Sequence, residues 1–310
     1  MLGVILRRVA IGVPVIIGVT AIIFFVLRVL PGNPVQIITQ GAPTTPGERQ
    51  DIIAEFGLNK PVLSQYGSYL WNALRGNFGI SFQTREPVAS EIGAQALATV
   101  ELTAAAMLLT VVAGVGLGVL SALFRDTWVD AAIRALSLLG SSMPIIWSGP
   151  LLILAFSFTL RLFPANGSGS LSQLVLPAVA IALVTSGVIV RLVRTSMLEV
   201  LSLEFVTALR AKGLSEPAIW LRHILRNALV PAVTLLGVQL GGLLAGAVIA
   251  ETVFGRQGLG SLLVSGINNK DYPMVQAIVL IVATAYVVIN IAVDVSYAYL
   301  DPRVRARMTR

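Results

Sequence analysis

The chain holds three lysines, Lys60, Lys212 and Lys270, and none closes a G-x-x-x-x-G-K-[ST] pattern. No P-loop can therefore cradle a nucleotide phosphate here. His223 is the single histidine, which excludes an H-E-x-x-H zinc pair. It stands between Arg222 and Arg226 in a polar stretch, not opposite a serine inside an apolar run, so a Ser–His protease geometry fails. It reads as a solvated or partner-facing side chain. Cysteine is absent, which removes disulfides, Cys-ligated zinc and iron–sulfur clusters. What remains are polar groups in or beside apolar runs: Glu101, Arg191, Gln239, Glu251, Asn290 and Asp294. Such groups are functional candidates by default. Glu101, Arg191, Glu251 and Asp294 fall near the ends of runs, where snorkelling or a helix dipole accounts for them. Gln239 and Asn290 lie deeper and suit hydrogen bonds between helices. No series of acids suggests a proton relay. The residues predict neither a catalytic group nor a metal site.

The elements that carry these residues follow from composition. Of 310 residues 56% are apolar and 12% charged, and the mean hydropathy is +0.85. A soluble domain carries about 25% charge, and a monomer this apolar would expose large greasy patches. Disorder needs the opposite balance. The chain therefore reads as an all-α polytopic membrane protein. Six uncharged runs are each near the roughly 20 residues of a spanning helix. They are 9–27, 102–124 (with a start near 96 that would include Glu101), 135–160, 174–190, 227–250 and 274–293. The first run exceeds a signal-peptide core, and Pro31 to Pro34 offer no small-residue cleavage site, so it reads as a retained helix.

The charge of +7 and pI of about 10.2 carry no aromatic-and-basic stripe, so nucleic acid is not indicated. They fit basic loops on the cytoplasmic side. Arg7, Arg8, Arg125, Arg134, Arg191, Arg194, Arg210, Lys212, Arg222, Arg226 and the C-terminal Arg303, Arg305, Arg307 and Arg310 all fall on one side of a six-span path. Both termini are thereby predicted to be cytoplasmic. Small residues recur at Gly114/Gly118 and at Gly237/Gly241 and Gly242/Gly246, where backbones can approach closely. Pro144 and Pro150 predict kinks in the third run. No inverted repeat links the two halves, which disfavours a secondary transporter built that way.

Two connections stand out. The outside loop, 31–95, is too small for a separate domain. It contains a predicted helix from Pro61 to Arg75, with Val62, Tyr66, Tyr69, Leu70 and Ala73 at helical spacing. It serves either as a cap over helix ends or as a docking surface for an external partner. The cytoplasmic connection, 191–226, is long and reads as helical. Ser202 is placed to cap a short helix with Glu204 in its first turn. Phe205, Ala208 and Leu209 share one side, Arg210 and Lys212 fill the last turn, and Gly213 fits the left-handed stop. Ser215, Glu216 and Pro217 start a second helix that runs into the fifth span. A short exposed helix with Phe and Leu on one face requires a groove on a partner or a bed of lipid headgroups.

The same connection resembles a known family. The run EFVTALRAKGLSEPAIWLRHILRNALVP, from Glu204 to Pro231, resembles the EAA loop of ABC importer permeases, and most closely the dipeptide/oligopeptide/nickel branch. Further stretches carry the resemblance along most of the chain: LRVLPGNPV from Leu27, GLNKPVLSQYGSYLWNALRGNFGISF from Gly57, ETVFGRQGLGSLL from Glu251, NKDYPMVQA from Asn269 and YAYLDPRVR from Tyr297. The chain departs from the family pattern at Asn33, Asn59 and Asn77, where acids are usual, and at Gln257, where proline is usual. These outside-loop changes bear on docking and gating.

The resemblance implies a type I ABC importer permease of the cell inner membrane. It implies pairing with a second, similar permease, two ATPase subunits that bind ATP and Mg below, and a solute-binding protein outside. No cofactor is implied for this chain itself. Residues 204–213 then resemble the coupling helix, with Glu204, Phe205, Ala208, Arg210, Ala211, Lys212, Gly213 and Leu214 at the ATPase groove. Pro144, Gln239, Gly241, Gly242 and Glu251 are the expected contributors to the translocation path. The branch implies dipeptides or oligopeptides as substrate. Nickel chelates, glutathione or sugars are the alternative within this architecture, and a stand-alone channel or carrier is the rival outside it.

Overall fold

The computed structural model describes residues 2–29, 34–39, 45–55, 57 and 59–300, with the side chains of 2–5, 34, 37, 55, 294 and 296–300 left aside. Asn33 and the arginines at 303, 305, 307 and 310 lie outside these residues. Among the described residues there is no strand, only a single antiparallel bridge between Ile80 and Pro87.

The helices are α1 (Leu2–Val29), α2 (Pro34–Ile38), α3 (Pro46–Glu55), α4 (Val62–Leu74), α5 (Val88–Leu123), α6 (Trp128–Ser142), α7 (Ile145–Leu152), α8 (Leu171–Leu201), α9 (Glu204–Ala211), α10 (Glu216–Ala218), α11 (Leu225–Val253), α12 (Leu259–Asn268) and α13 (Tyr272–Leu300). Two π-helical stretches, Ile153–Thr159 and Ile219–Ile224, continue α7 and join α10 to α11. Five helices are long and apolar enough to cross a membrane, or six if α6 and α7 together form one span.

The third apolar run differs from its sequence reading. It is not one kinked helix but two, bent by 112°. Pro144 is the cause. A residue before proline is pushed out of the helical region, and Met143 is extended at φ −93°, ψ 117°. Pro144 then opens α7. The fourth run also differs: α8 continues past Arg191 and Arg194 to Leu201, so the first third of the expected cytoplasmic connection prolongs that long apolar helix.

The chain forms two compact units, one from residues up to 98 with 257–291, the other from 99–256 with the end of α13. In the second unit, α5, α7, α8 and α11 close one apolar cluster around Leu102, Ala106, Ile181, Leu243, Ala247 and Phe254. A second cluster joins Ala122, Ile189, Val193 and Met197 to Val206, Ile219, Ile224 and Ala228. Glycine allows the helices to close up. A Cβ placed on Gly118 of α5 would stand 2.8 Å from Val193 Cβ of α8. Both glycines of the Gly114/Gly118 pair meet α8, whereas in the fifth run Gly246 faces Ile145 and Ile181, and Gly242 faces open space.

In the first unit, α1, the 78–92 segment, α12 and α13 share two smaller clusters, around Val88, Ile92, Met274 and Ile278 and around Leu27, Phe82 and Tyr272. Asp271, just before α13, accepts from Ser81 Oγ and from the Met274 amide at 3.3 Å, so the start of α13 and the 81–84 turn are tied together. α3 opens with a reciprocal cap: Thr45 N donates to Glu48 Oε2 at 2.8 Å and Glu48 N to Thr45 Oγ1 at 3.3 Å. The backbone donor at Thr45 holds the Glu48 carboxyl below its usual range.

Candidate functional site: the α8–α9–α10 turn

The stretch that carries the family resemblance folds into a short helix between two chain reversals. α8 ends at Leu201, and Ser202 closes it by donating to the Glu199 carbonyl at 2.7 Å. Ser202 therefore does not cap the next helix, as its sequence position suggests; Leu203 is the residue before α9, with no side-chain cap. α9 runs Glu204–Ala211 and stops where the sequence puts its stop. Gly213 lies at φ +79°, a left-handed conformation costly for residues with a Cβ. Gly213 N donates to the Arg210 carbonyl at 2.9 Å and Leu214 N to the Leu209 carbonyl at 3.3 Å. These are the paired bonds of a Schellman stop. Ser215, Glu216 and Pro217 then open α10, which continues through the π turn into α11.

The two sides of α9 are distinct. Val206 is fully buried and Leu209 half-buried in the cluster formed with Met197, Ile219 and Ile224. Leu209 thus belongs to the inward face, not to a shared face with Phe205 and Ala208. Leu214 packs into the same cluster. Glu204, Phe205, Ala208, Arg210, Ala211, Lys212 and Gly213 are exposed. Arg210 donates to both oxygens of Glu216, Nε at 2.7 Å and Nη2 at 3.2 Å, bridging the turn. Those bonds raise the Arg210 guanidinium above its ordinary pKa. His223 sits half-buried in the π turn.

The helix that carries α9 is itself anchored. Asp130 of α6 is 0% exposed. Arg194 of α8 grips it bidentately, Nε to Oδ1 at 2.8 Å and Nη2 to Oδ2 at 2.7 Å. Ser121 Oγ donates at 2.6 Å, the Asp126 amide at 3.2 Å, and Arg134 approaches to 3.3 Å. Buried charge is tolerated when paired and fully hydrogen-bonded, as here. Sequence reasoning missed this centre. Its only local trace is the i,i+4 pair Asp130–Arg134; Arg194 lies 64 positions away. Arg191 similarly donates to Ser141 Oγ at 3.1 Å.

The expected path residues scatter. Pro144 and Gly242 are exposed, Gly241 and Gln239 are half-buried, and Glu251 is fully buried. Gln239 donates to the Thr185 carbonyl at 3.2 Å, joining α11 to α8. Glu251 accepts from Thr99 Oγ1 at 2.6 Å, and Glu101 pairs with the buried Arg256 at 3.1 Å. Both acids are thus engaged inside the second unit, where the sequence suggested snorkelling or a dipole. Asn290 bonds within its own helix, to the Tyr286 carbonyl at 2.9 Å. Among the described residues no cluster of His, Cys, Asp or Glu could hold a metal.

Residues 114–306 match the family described as "Binding-protein-dependent transport system inner membrane component", and residues 1–103 match its N-terminal component. The dipeptide transport system permease protein DppB of Escherichia coli K12 is 37% identical over 98% of this chain and 99% of that protein. The glutathione transport system permease protein GsiC of the same strain is 35% identical over 98% and 99%. A chain of the MetNI methionine ABC transporter, solved in inward-facing conformations, superposes with a TM-score of 0.55 at 22% identity, covering 71% of this chain and 97% of that one. This last likeness concerns the fold.

Proposed function

We propose a peptide-import role for this chain, which belongs to the binding-protein-dependent transport system inner membrane component family and is the permease part of an ABC importer whose ATP is hydrolysed by separate subunits. The proposed substrates are dipeptides or oligopeptides delivered by a solute-binding protein outside. The chain pairs with a second, similar permease above two ATPase subunits. It crosses the membrane six times, with α6 and α7 counted as one broken span, and both termini are cytoplasmic. Residues 31–95 then lie on the outer side and 191–226 on the inner.

The observation that carries the mechanism is the construction of α9. Its base is fixed by Val206 and Leu209, while Glu204, Phe205, Ala208 and the Arg210–Gly213 stretch remain outside. A helix seated on one face and open on the other suits a groove on an ATPase subunit. ATP binding would close the two ATPases, draw the coupling helices together and rock the membrane halves from inward-open to outward-open. This is a population shift driven by differential binding to one state. Pro144, Gln239, Gly241, Gly242 and Glu251 remain the proposed path residues. Glu251 is buried against Thr99, so its part is to hold the wall of the path.

The test is purification of the tagged chain from its native operon in gentle detergent, identification of co-purifying chains, then ATP-dependent peptide uptake in vesicles. Recovery of a second permease and P-loop ATPases is the expected result; a lone, monodisperse chain would favour a self-contained channel. Glu204→Arg and Gly213→Pro should each abolish ATP-coupled uptake while membrane insertion persists. Normal uptake in both would remove α9 from the mechanism. Glutathione is the second reading, supported by GsiC at 35% identity; competition between glutathione and a dipeptide for uptake separates them.

A further inference from the structure

We propose that α4, the helix from Val62 to Leu74 in the outer connection, is immersed in the lipid of the leaflet beside α1 rather than lying in water above it. The first argument is depth. α1 contains an apolar stretch of 24 residues, Leu6–Val29, about 36 Å long at 1.5 Å per residue. Tyr66 of α4 donates its hydroxyl to the Ile17 carbonyl at 2.9 Å and meets Thr20 Oγ1 at 3.0 Å. Ile17 is at the middle of that stretch, about 18 Å along the axis from Val29. Gln65, the preceding residue, accepts from Arg28 Nη2 at 2.7 Å. Arg28 folds back to give its other bond to the Phe24 carbonyl at 3.0 Å, so even this contact lies below the end of α1. The rings of Phe24 and Phe25 pack on Tyr66 at 5.0 and 6.1 Å. The Gln65–Tyr66 part of α4 is therefore within one side chain of the middle of a bilayer-crossing stretch. A hydrocarbon core is about 30 Å thick, so any placement of this stretch across it takes in Ile17, and the Tyr66 hydroxyl with it.

The second argument is polarity. α4 has no buried residue; Tyr66, Tyr69, Leu70 and Ala73 are half-buried, and large apolar side chains also stand exposed on its other side. Gln65, Ser68 and Asn72 line a cleft of about 440 Å³ that they share with Arg28 and Tyr272. Ser68 and Asn72, at its rim, are exposed, and the opposite face presents Leu63, Gly67, Trp71 and Leu74 outwards as well: Leu63 is 75% exposed, Trp71 57% and Leu74 82%. A loop helix in water shows the reverse pattern. Arg75, at the C-terminal end, places its guanidinium 4.5 Å over the Trp71 ring. An aromatic ring with a cation at one end is the arrangement found where hydrocarbon meets headgroups. At the level of these contacts α1 itself leaves Ile22 and Val26 exposed, so α4 adds to an apolar surface that α1 already presents.

The absence of cysteine supplies the experiment. Single variants Leu63→Cys and Leu74→Cys, with Glu48→Cys as the water control and Ile22→Cys as the lipid control, are made in the full chain and assembled with its co-purifying partners in phospholipid nanodiscs. A thiol in apolar surroundings ionises poorly, so the Leu63→Cys and Leu74→Cys sites should react with a charged maleimide about tenfold more slowly than the Glu48→Cys site. A bimane label at the same two sites should be quenched by doxyl-labelled phospholipid to the extent seen at the Ile22→Cys site. Fast reaction without lipid quenching overturns the proposal. Slow reaction without quenching also overturns it and assigns the face to a protein subunit. Protection that appears only when solute-binding protein is added overturns it in favour of a docking surface.

Discussion

The short helices α4 and α9 are built in opposite senses. α9 sends Val206 and Leu209 into a core and leaves Glu204, Arg210 and Lys212 outside with one aromatic ring, Phe205. α4 turns Gln65, Ser68 and Asn72 to a cleft and leaves Leu63, Trp71 and Leu74 exposed. Transfer of apolar surface out of water is worth about 25 cal/mol per Å². A helix therefore advertises its surroundings by the face it leaves open. The open face of α9 suits water and then a protein groove, and that of α4 suits hydrocarbon. The anchors differ too: α9 is seated by Val206 and Leu209 beside an α8 that is itself tied to α6 through Arg194 and Asp130, whereas α4 rests on α1 through the Tyr66 hydroxyl and the rings of Tyr66 and Tyr69 against Phe24.

The largest effect should come from cutting the charged anchor. Arg194→Ala leaves Asp130 buried without its bidentate partner, and removing one member of a buried pair typically costs about 3–5 kcal/mol. The melting temperature of the purified complex should drop by many degrees, and ATP-coupled uptake should fail as α8 loses its hold on α6. The double variant Asp130→Asn, Arg194→Gln should recover part of the loss. Labelling of the Leu63→Cys site should stay at its original rate in either background. Equal loosening at α4 would show that the two helices share an anchor and dissolve the contrast between them.

Sequence signals predicted α9 better than they predicted its setting. Gly213 and the Ser215–Glu216–Pro217 start are local signals, and both stand where expected. Ser202 misled because a serine two residues before a helix caps forwards as readily as it closes the helix behind it. Which of Phe205 and Val206 faces inwards depends on Met197, Ile219 and Ile224, and no periodicity within eight residues encodes that. The 112° break at Pro144 was under-read because an uncharged run has the same composition straight or folded. Helical spacing predicted α4 from Pro61 to Arg75, matching its observed ends. Its depth was not legible, since that is set by Tyr66 meeting Ile17, 49 positions earlier.

An intermediate effect is expected at that hydroxyl. Tyr66→Phe keeps the ring packing on Phe24 and removes the bonds to Ile17 and Thr20. One such bond is worth about 1 kcal/mol, or roughly a fivefold change in local opening. Amide exchange should accelerate by that factor across α4 and remain unchanged across α9. Unaltered exchange in α4 would mean that the rings alone hold it and that its depth is not set by the hydroxyl.

The smallest effect on stability belongs to Arg210→Ala. The Arg210–Glu216 pair is exposed at both ends, 44% and 54%, and an exposed pair competes with water and is screened by salt. The isolated chain should therefore melt unchanged. The assembled transporter should behave differently if α9 enters an ATPase groove. There the pair loses water, and its removal leaves Glu216 facing the partner alone, which costs more than the exposed pair was worth. ATP-coupled uptake should fall in the variant while the melting temperature of the separate chain stays constant. Uptake equal to that of the unmodified chain at both low and high salt would place Arg210 outside the groove, and the water-facing side of α9 would then be nothing more than a solvated surface.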